Sequence, residues 1–190
     1  MADGDRGNTR TVTTAFWSAA QQHTAHVRRR LRANGAAYDG EGAVNLPGYA
    51  GSLLAFAVTT TGLVATGRLR GQQLPERYAL ADVALGGLAT HKFTRLLSKA
   101  SVTSPLRAPF TTFEEAAGSS ELNEQARGDG VRHTVGELVT CPFCLGQWVG
   151  TGYVAGLALA PRVARTWAAV FAVTALSDFL QQAYARVQPG

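Results

Sequence analysis

Gly136-Glu-Leu-Val-Thr-Cys-Pro-Phe-Cys-Leu-Gly-Gln-Trp148 leads into a run without a charged side chain that lasts from Leu138 to Pro161. A helix of ~20 such residues crosses the ~30 Å hydrocarbon layer of a bilayer, so this stretch decides the fold. Pro142 suits the first turn of a helix, where its missing N–H costs nothing. Cys141 and Cys144 then fall at the helix start. Trp148 follows one turn later, at a depth that suits an interfacial aromatic. Gly146 and Gly150, and Gly152 and Gly156, are small-xxx-small pairs of the kind that lets membrane helices approach closely. A helix that is merely glycine-rich reads the same way.

Outward from this run, three more segments read as spans. No charge occurs between Gly42 and Gly67, and Tyr49 to Gly67 is the first of them. A second helix runs from about Tyr78 to Lys99. Its second half carries His91, Lys92, Arg95 and Lys99, so it is an inner helix or it emerges at the interface, where long basic side chains snorkel. The fourth helix, Val163 to Val187, is apolar apart from Asp178 and the glutamines near its end. The fold expected is all-α: a polytopic helical membrane protein with about four transmembrane helices. Residues 1–48 form a polar, basic N-terminal region and linker, 49–67 the first span, and 78–187 a helical membrane domain with a cytoplasmic loop at 100–136.

The chain has 190 residues and a formal net charge of +5, with 18 Lys and Arg against 13 Asp and Glu. Its pI is about 9.7 and its mean hydropathy is -0.01. That average hides segregation, because the charges crowd into residues 1–41, 68–78 and 92–137. A basic balance suits nucleic acid or an anionic membrane face. No zinc-finger spacing or aromatic RNA-binding signature accompanies it, so nucleic acid is not an expected partner. The expected partner is the lipid bilayer, with other membrane proteins or a second copy of the chain beside it. No cleavable signal peptide is expected at the N-terminus.

Residues 1–10 are polar and expected to be disordered. Thr11 to Ala33 is a plausible helix ending in the basic cluster Arg28, Arg29, Arg30 and Arg32. That cluster either rests on acidic lipid or is a solvated tail whose arginines set topology. Gly35 to Pro47 reads as a linker. Ser101 to His133 is the longest loop: residues 104–110, with Pro105 and Pro109, are expected to be extended or turning, and 111–130 mobile.

Four helices place both termini and the long loop on one side. Arg6, Arg10, Arg28, Arg29, Arg30, Arg32, Lys99, Arg107, Arg127, Arg132 and Arg186 lie there, against Arg68, Arg70, Arg77, Arg162 and Arg165 on the other. The positive-inside rule puts both termini in the cytoplasm. His91, Lys92, Arg95, Cys141, Cys144 and Asp178 then share one depth, as a polar cluster at the cytoplasmic face. An intramembrane carboxylate needs a partner, and Asp178 is expected to pair with Arg95 or His91.

From about Tyr78 to Val187 the chain resembles the family called Domain of Unknown Function 1360, small bacterial membrane proteins of which some are sporulation-associated. The resemblance rests on His-Lys-Phe-Thr-Arg-Leu-Leu at 91–97, Val-Thr-Ser-Pro-Leu-Arg-Ala-Pro-Phe at 102–110, and the stretch 136–148 quoted above. Three helices belong to this core; residues 1–77 lie outside it. The resemblance implies the bacterial cytoplasmic (inner) membrane as the location, and no established activity.

Three readings of the cysteines stay open. A Cys-x-x-Cys at a helix start is a geometry for thiol redox chemistry, because the helix N-terminus favours a thiolate. The pair is also half of a zinc site, which His91 and His133 could complete. Cys141 and Cys144 could equally be small packing residues at a tight junction. No Ser/His/Asp arrangement, phosphate loop or paired-carboxylate site appears, so no catalytic residue is assigned. The expectation is a structural or interaction component of the membrane, with a sporulation or envelope connection, rather than an enzyme.

Overall fold

The computed structural model describes residues 21–22, 25–27, 29–30, 33–35, 37–38, 44–73, 75–118 and 120–188. Residues 1–49 and 50–190 are two compact units. In the first, the described positions between 21 and 38 are helical, reaching into the stretch expected as a linker. Most of the expected helix from Thr11 to Ala33 lies outside the described residues, as do residues 1–10.

Helix α1 spans Leu46–Leu69. Asn45 precedes it, and its side-chain oxygen accepts the Gly48 N–H at 3.1 Å, which satisfies one of the orphan donors of the first turn. At the other end Gly71 adopts φ 71°, a left-handed value that glycine takes without penalty. The Gln72 and Gly71 N–H groups then return to the carbonyls of Gly67 and Arg68, closing the helix in a Schellman turn.

Helices α2 (Leu80–Ser98), α5 (Pro142–Leu159) and α6 (Pro161–Val187) pack together. Asp82 near the start of α2 pairs with Arg165 near the start of α6, and Lys92 further along α2 pairs with Asp178 further along α6. These two helices therefore run parallel. The turn at Ala160 reverses α5 into α6. By length and composition, α1 and α6 are long and apolar enough to cross a membrane.

The interior is built of small residues. Ala164, Ala168, Ala172 and Ala175 form one buried stripe on α6, and Ala89 of α2 is fully buried. Gly86 of α2 lies under the Tyr153 ring so closely that a Cβ there would come within 2.1 Å of it. The Tyr153 hydroxyl donates to the Asp82 carbonyl at 2.9 Å and pins that ring in place. Phe93, Trp167 and Phe171 fill the space beyond with edge-to-face contacts. The large aliphatic side chains point outward instead: Leu53 on α1 and Leu180 on α6 are each 70% exposed.

Two expectations are corrected. The fold is mostly helical but not all-α, because residues 111–130 are not a mobile loop. They contain strands β1 (Thr111–Ala116) and β2 (Leu122–Ala126), antiparallel with Thr111 opposite Ala126 and a bulge between Phe113 and Glu115. Ahead of the strands, Ser101–Thr103 is a single 3-10 turn and Ser104–Arg107 a short helix, α3, so of the extended or turning chain expected at 104–110 the first half turns. Finally, the uncharged run starting at Leu138 is broken. Helix α4 covers Gly130–Thr140, and Cys141 is extended at φ -102° and ψ 104°. The Pro142 ring disfavours helical geometry at the residue before it, so α5 begins afresh.

Candidate functional site

The C-terminal end of α2 is where the conspicuous side chains collect. A helix ends with carbonyls that have no partner within it, and here each needs an acceptor's complement from the following chain. The Arg95 carbonyl takes the Lys99 N–H at 2.8 Å. The Leu96 carbonyl takes the Thr103 hydroxyl. The Leu97 carbonyl takes Nη1 of Arg107 at 2.8 Å.

Arg107 does more than cap. Its Nη1 also donates to the Ala100 carbonyl and to Thr103 Oγ1, while Nε and Nη2 form a bidentate pair with the Glu124 carboxylate at 2.7 and 3.0 Å. Thr111 Oγ1 donates to the same carboxylate at 3.1 Å. The Arg107 side chain is 2% exposed and that of Glu124 5%, so this is a fully enclosed ion pair with its geometry satisfied. It ties α2, α3 and the β-hairpin into one layer.

Helix α4 closes on that layer at Gly136. A Cβ at this position would lie 2.5 Å from the Phe110 carbonyl and 2.8 Å from Ala126 Cβ, so the glycine permits direct backbone approach. One turn on, Cys141 serves as N-cap of α5, and the Cys144 N–H donates to its sulfur at 3.2 Å. Both thiols are free; Cys144 is exposed and Cys141 half-buried.

Of the six side chains expected as one polar cluster, Lys92 and Asp178 pair with each other, Cys141 and Cys144 are joined by a hydrogen bond, and Arg95 and His91 take partners outside the set. Asp178 pairs with Lys92, not with Arg95 or His91. Arg95 reaches the hairpin instead and holds Glu121 through two nitrogens, one bond being 3.1 Å. The His91 ring stacks on Phe179 at 6.1 Å. Lys92 and His91 both reach α6, at Asp178 and Phe179, whereas Arg95 reaches Glu121 at the hairpin. His133 lies 3.7 Å from Glu137 on its own helix. Among the described residues no group of three or more His, Cys, Asp or Glu side chains is placed to hold a metal ion.

Three participants escaped the sequence reading. Glu121 and Glu124 looked like ordinary members of an acidic loop. Arg165 was counted as an outer-side charge, yet it grips Asp82 with two bonds of 2.9 and 2.8 Å. A signal for Arg165 was present: Asp82 and Arg165 each stand a few residues inside a helix that starts on the same side, which is the placement a pair across parallel helices needs. The hairpin glutamates had no such signal.

Comparison with known proteins closes the description. The model of a family described as "Protein of unknown function (DUF1360)" matches residues 85–184. Sporulation protein YjcA of Bacillus subtilis (strain 168) is 29% identical over 102 residues, which cover 52% of this chain and 86% of that protein. No solved structure matches.

Proposed function

The chain belongs to the DUF1360 family, and from that premise we propose that it is a multi-pass protein of the bacterial cytoplasmic membrane acting as a structural or interaction component, in connection with spore or envelope formation. In this reading α1, α2, α5 and α6 are the spans. The 3-10 turn, α3, the hairpin and α4 form a small folded layer at the cytoplasmic face, and both termini are cytoplasmic.

One observation carries the membrane reading. Most of the buried apolar positions on the helices are Ala, with Tyr153 and Leu157 beside them, while many Leu and Val side chains of α1, α2 and α6 are exposed. Water would drive the larger apolar groups inward, whereas lipid tails solvate them and leave close backbone packing as the source of helix association. The charges fit as well. Asp82 with Arg165 and Lys92 with Asp178 neutralise one another between α2 and α6, which is how ionisable groups persist at membrane depth. Helix α5 has 18 residues, about 27 Å at 1.5 Å per residue, close to the ~30 Å of hydrocarbon. The family relative's name, a sporulation protein, supports the biological half of the reading.

Topology reporters test it. A reporter inserted after Gly118, in the hairpin turn, should be active in its cytoplasmic form. One inserted after Gln72 should be active in its exported form. The opposite pattern, or the same compartment for both, removes the four-span arrangement.

A second reading has a specific observation in its favour. The Cys144 N–H donates to the Cys141 sulfur at the start of α5, so two free thiols share one helix turn in the Cys-x-x-Cys spacing that thiol–disulfide chemistry uses. If that is the role, Cys141 alkylates faster than Cys144 at neutral pH although it is less exposed. Slower alkylation of Cys141 leaves the pair as packing and capping residues.

A further inference from the structure

Helix α1 touches the rest of its unit sparingly. Phe56 rests edge-on against Trp148 at 5.2 Å, and Gly67 faces Leu159. Between these points α1 and α5 stand apart and leave a groove of about 470 Å³. Leu63, Val64, Val154, Ala155 and Ala158 line its length. Its end is different in character: Arg68, Gln72, Gln73 and Tyr78 gather there.

That polar end is built rather than accidental. The Schellman turn after α1 folds Gln72 back over the last helical turn, with its N–H on the Gly67 carbonyl at 2.9 Å. Arg68 occupies the last turn of α1 and makes no ion pair among the described residues. Arg70 and Arg77 follow in the same connection, with Glu76 as its acidic residue. An elongated apolar slot with a cationic, amide-rich mouth matches a molecule with an anionic head and a hydrocarbon tail.

We propose that the groove between α1 and α5 is a binding site for one anionic phospholipid, its acyl chain along Val64 and Ala155 and its phosphate on Arg68, with Gln72, Gln73 and Tyr78 as hydrogen-bonding neighbours. This rests on the membrane reading above. The lipid supplies the packing that α1 lacks. The α5 wall of the groove lies within the family match at residues 85–184, whereas α1 and the cationic mouth precede it.

The test uses the full chain purified in a neutral detergent, with phosphatidylglycerol or phosphatidylcholine added, and reads lipid retention by native mass spectrometry. One phosphatidylglycerol per chain should be retained in preference to phosphatidylcholine. Arg68→Gln should weaken that retention about fivefold, the effect of one basic residue at an anionic lipid surface. Ala155→Phe and Ala158→Phe, which fill the slot without touching its charge, should abolish retention while the lipid-free melting temperature stays level or rises. Equal retention of both lipids, or retention unchanged in the filled variants, overturns the proposal and leaves the membrane reading intact. Two further results also overturn it: glycerol phosphate binding as tightly as the lipid, which marks a free-anion site, and a dimer that the filled variants dissociate, which marks a second copy in the groove. A chain that stays dispersed without detergent contradicts the membrane reading itself.

Discussion

At the scale of single residues, Arg107 and Glu124 carry the largest stake. Removing one partner strands a charge in an enclosed site and typically costs about 3–5 kcal/mol, while replacing both with apolar groups of similar volume is far milder. Arg107→Ala and Glu124→Ala should each lower the thermal midpoint in detergent steeply. Arg107→Met with Glu124→Leu should recover much of the loss, though the Leu97 carbonyl loses the Arg107 donor. If the single variants melt like the wild type, the pair is not enclosed as described. Arg107 was visible in the sequence as one more positive charge. Its role was not, because its partner stands 17 positions away in a stretch whose composition is that of a solvated loop. Nothing in Leu-Asn-Glu-Gln-Ala separates a buried glutamate from an exposed one.

At the scale of elements, the helices were legible and their contacts less so. Long apolar runs, uncharged in α5 and in α1 up to Arg68 and interrupted by a few charges in α2 and α6, located these four helices to within a few residues. Pro142 as the first residue of α5, with Cys141 just before it, was legible for the same reason. The glycine pattern misled. Hypothetical Cβ atoms at Gly146, Gly150 and Gly152 would meet nothing within 4 Å, and of those four glycines Gly156 alone abuts a neighbour, Ala164 at 3.2 Å. The close approach occurs at Gly86, which no spacing motif marks. This contrast is measurable. Gly152→Ala should leave the thermal midpoint level or raise it, through better helix propensity. Gly86→Ala should cost about 1–3 kcal/mol, because the Tyr153 ring is held by its hydrogen bond and cannot yield. Tyr153→Ala should relieve much of that cost in the double variant. Equal effects at the two glycines would show that α2 and α5 do not meet at Gly86. The hairpin was lost at this scale too. The side chain that β2 turns inward at 124 is charged, so the alternation that reveals a half-buried strand was absent.

At the scale of the whole molecule, a mean hydropathy of -0.01 looks unlike a membrane protein. Under the membrane reading proposed above, the resolution is spatial. A polar N-terminal region and a folded polar layer around the hairpin dilute the average, while α1 and α6 remain long and apolar enough to span. Small residues inside, large apolar residues outside and charges paired between helices are one consistent set, and the extensive exposed apolar surface is the member of it that water would disfavour. The direct measurement is sedimentation of membranes washed in alkaline carbonate, followed by detergent extraction. The account predicts that the chain stays with the pelleted membranes through the wash and leaves them when detergent is added. Recovery of folded, monodisperse chain in the carbonate supernatant, without detergent, would contradict it.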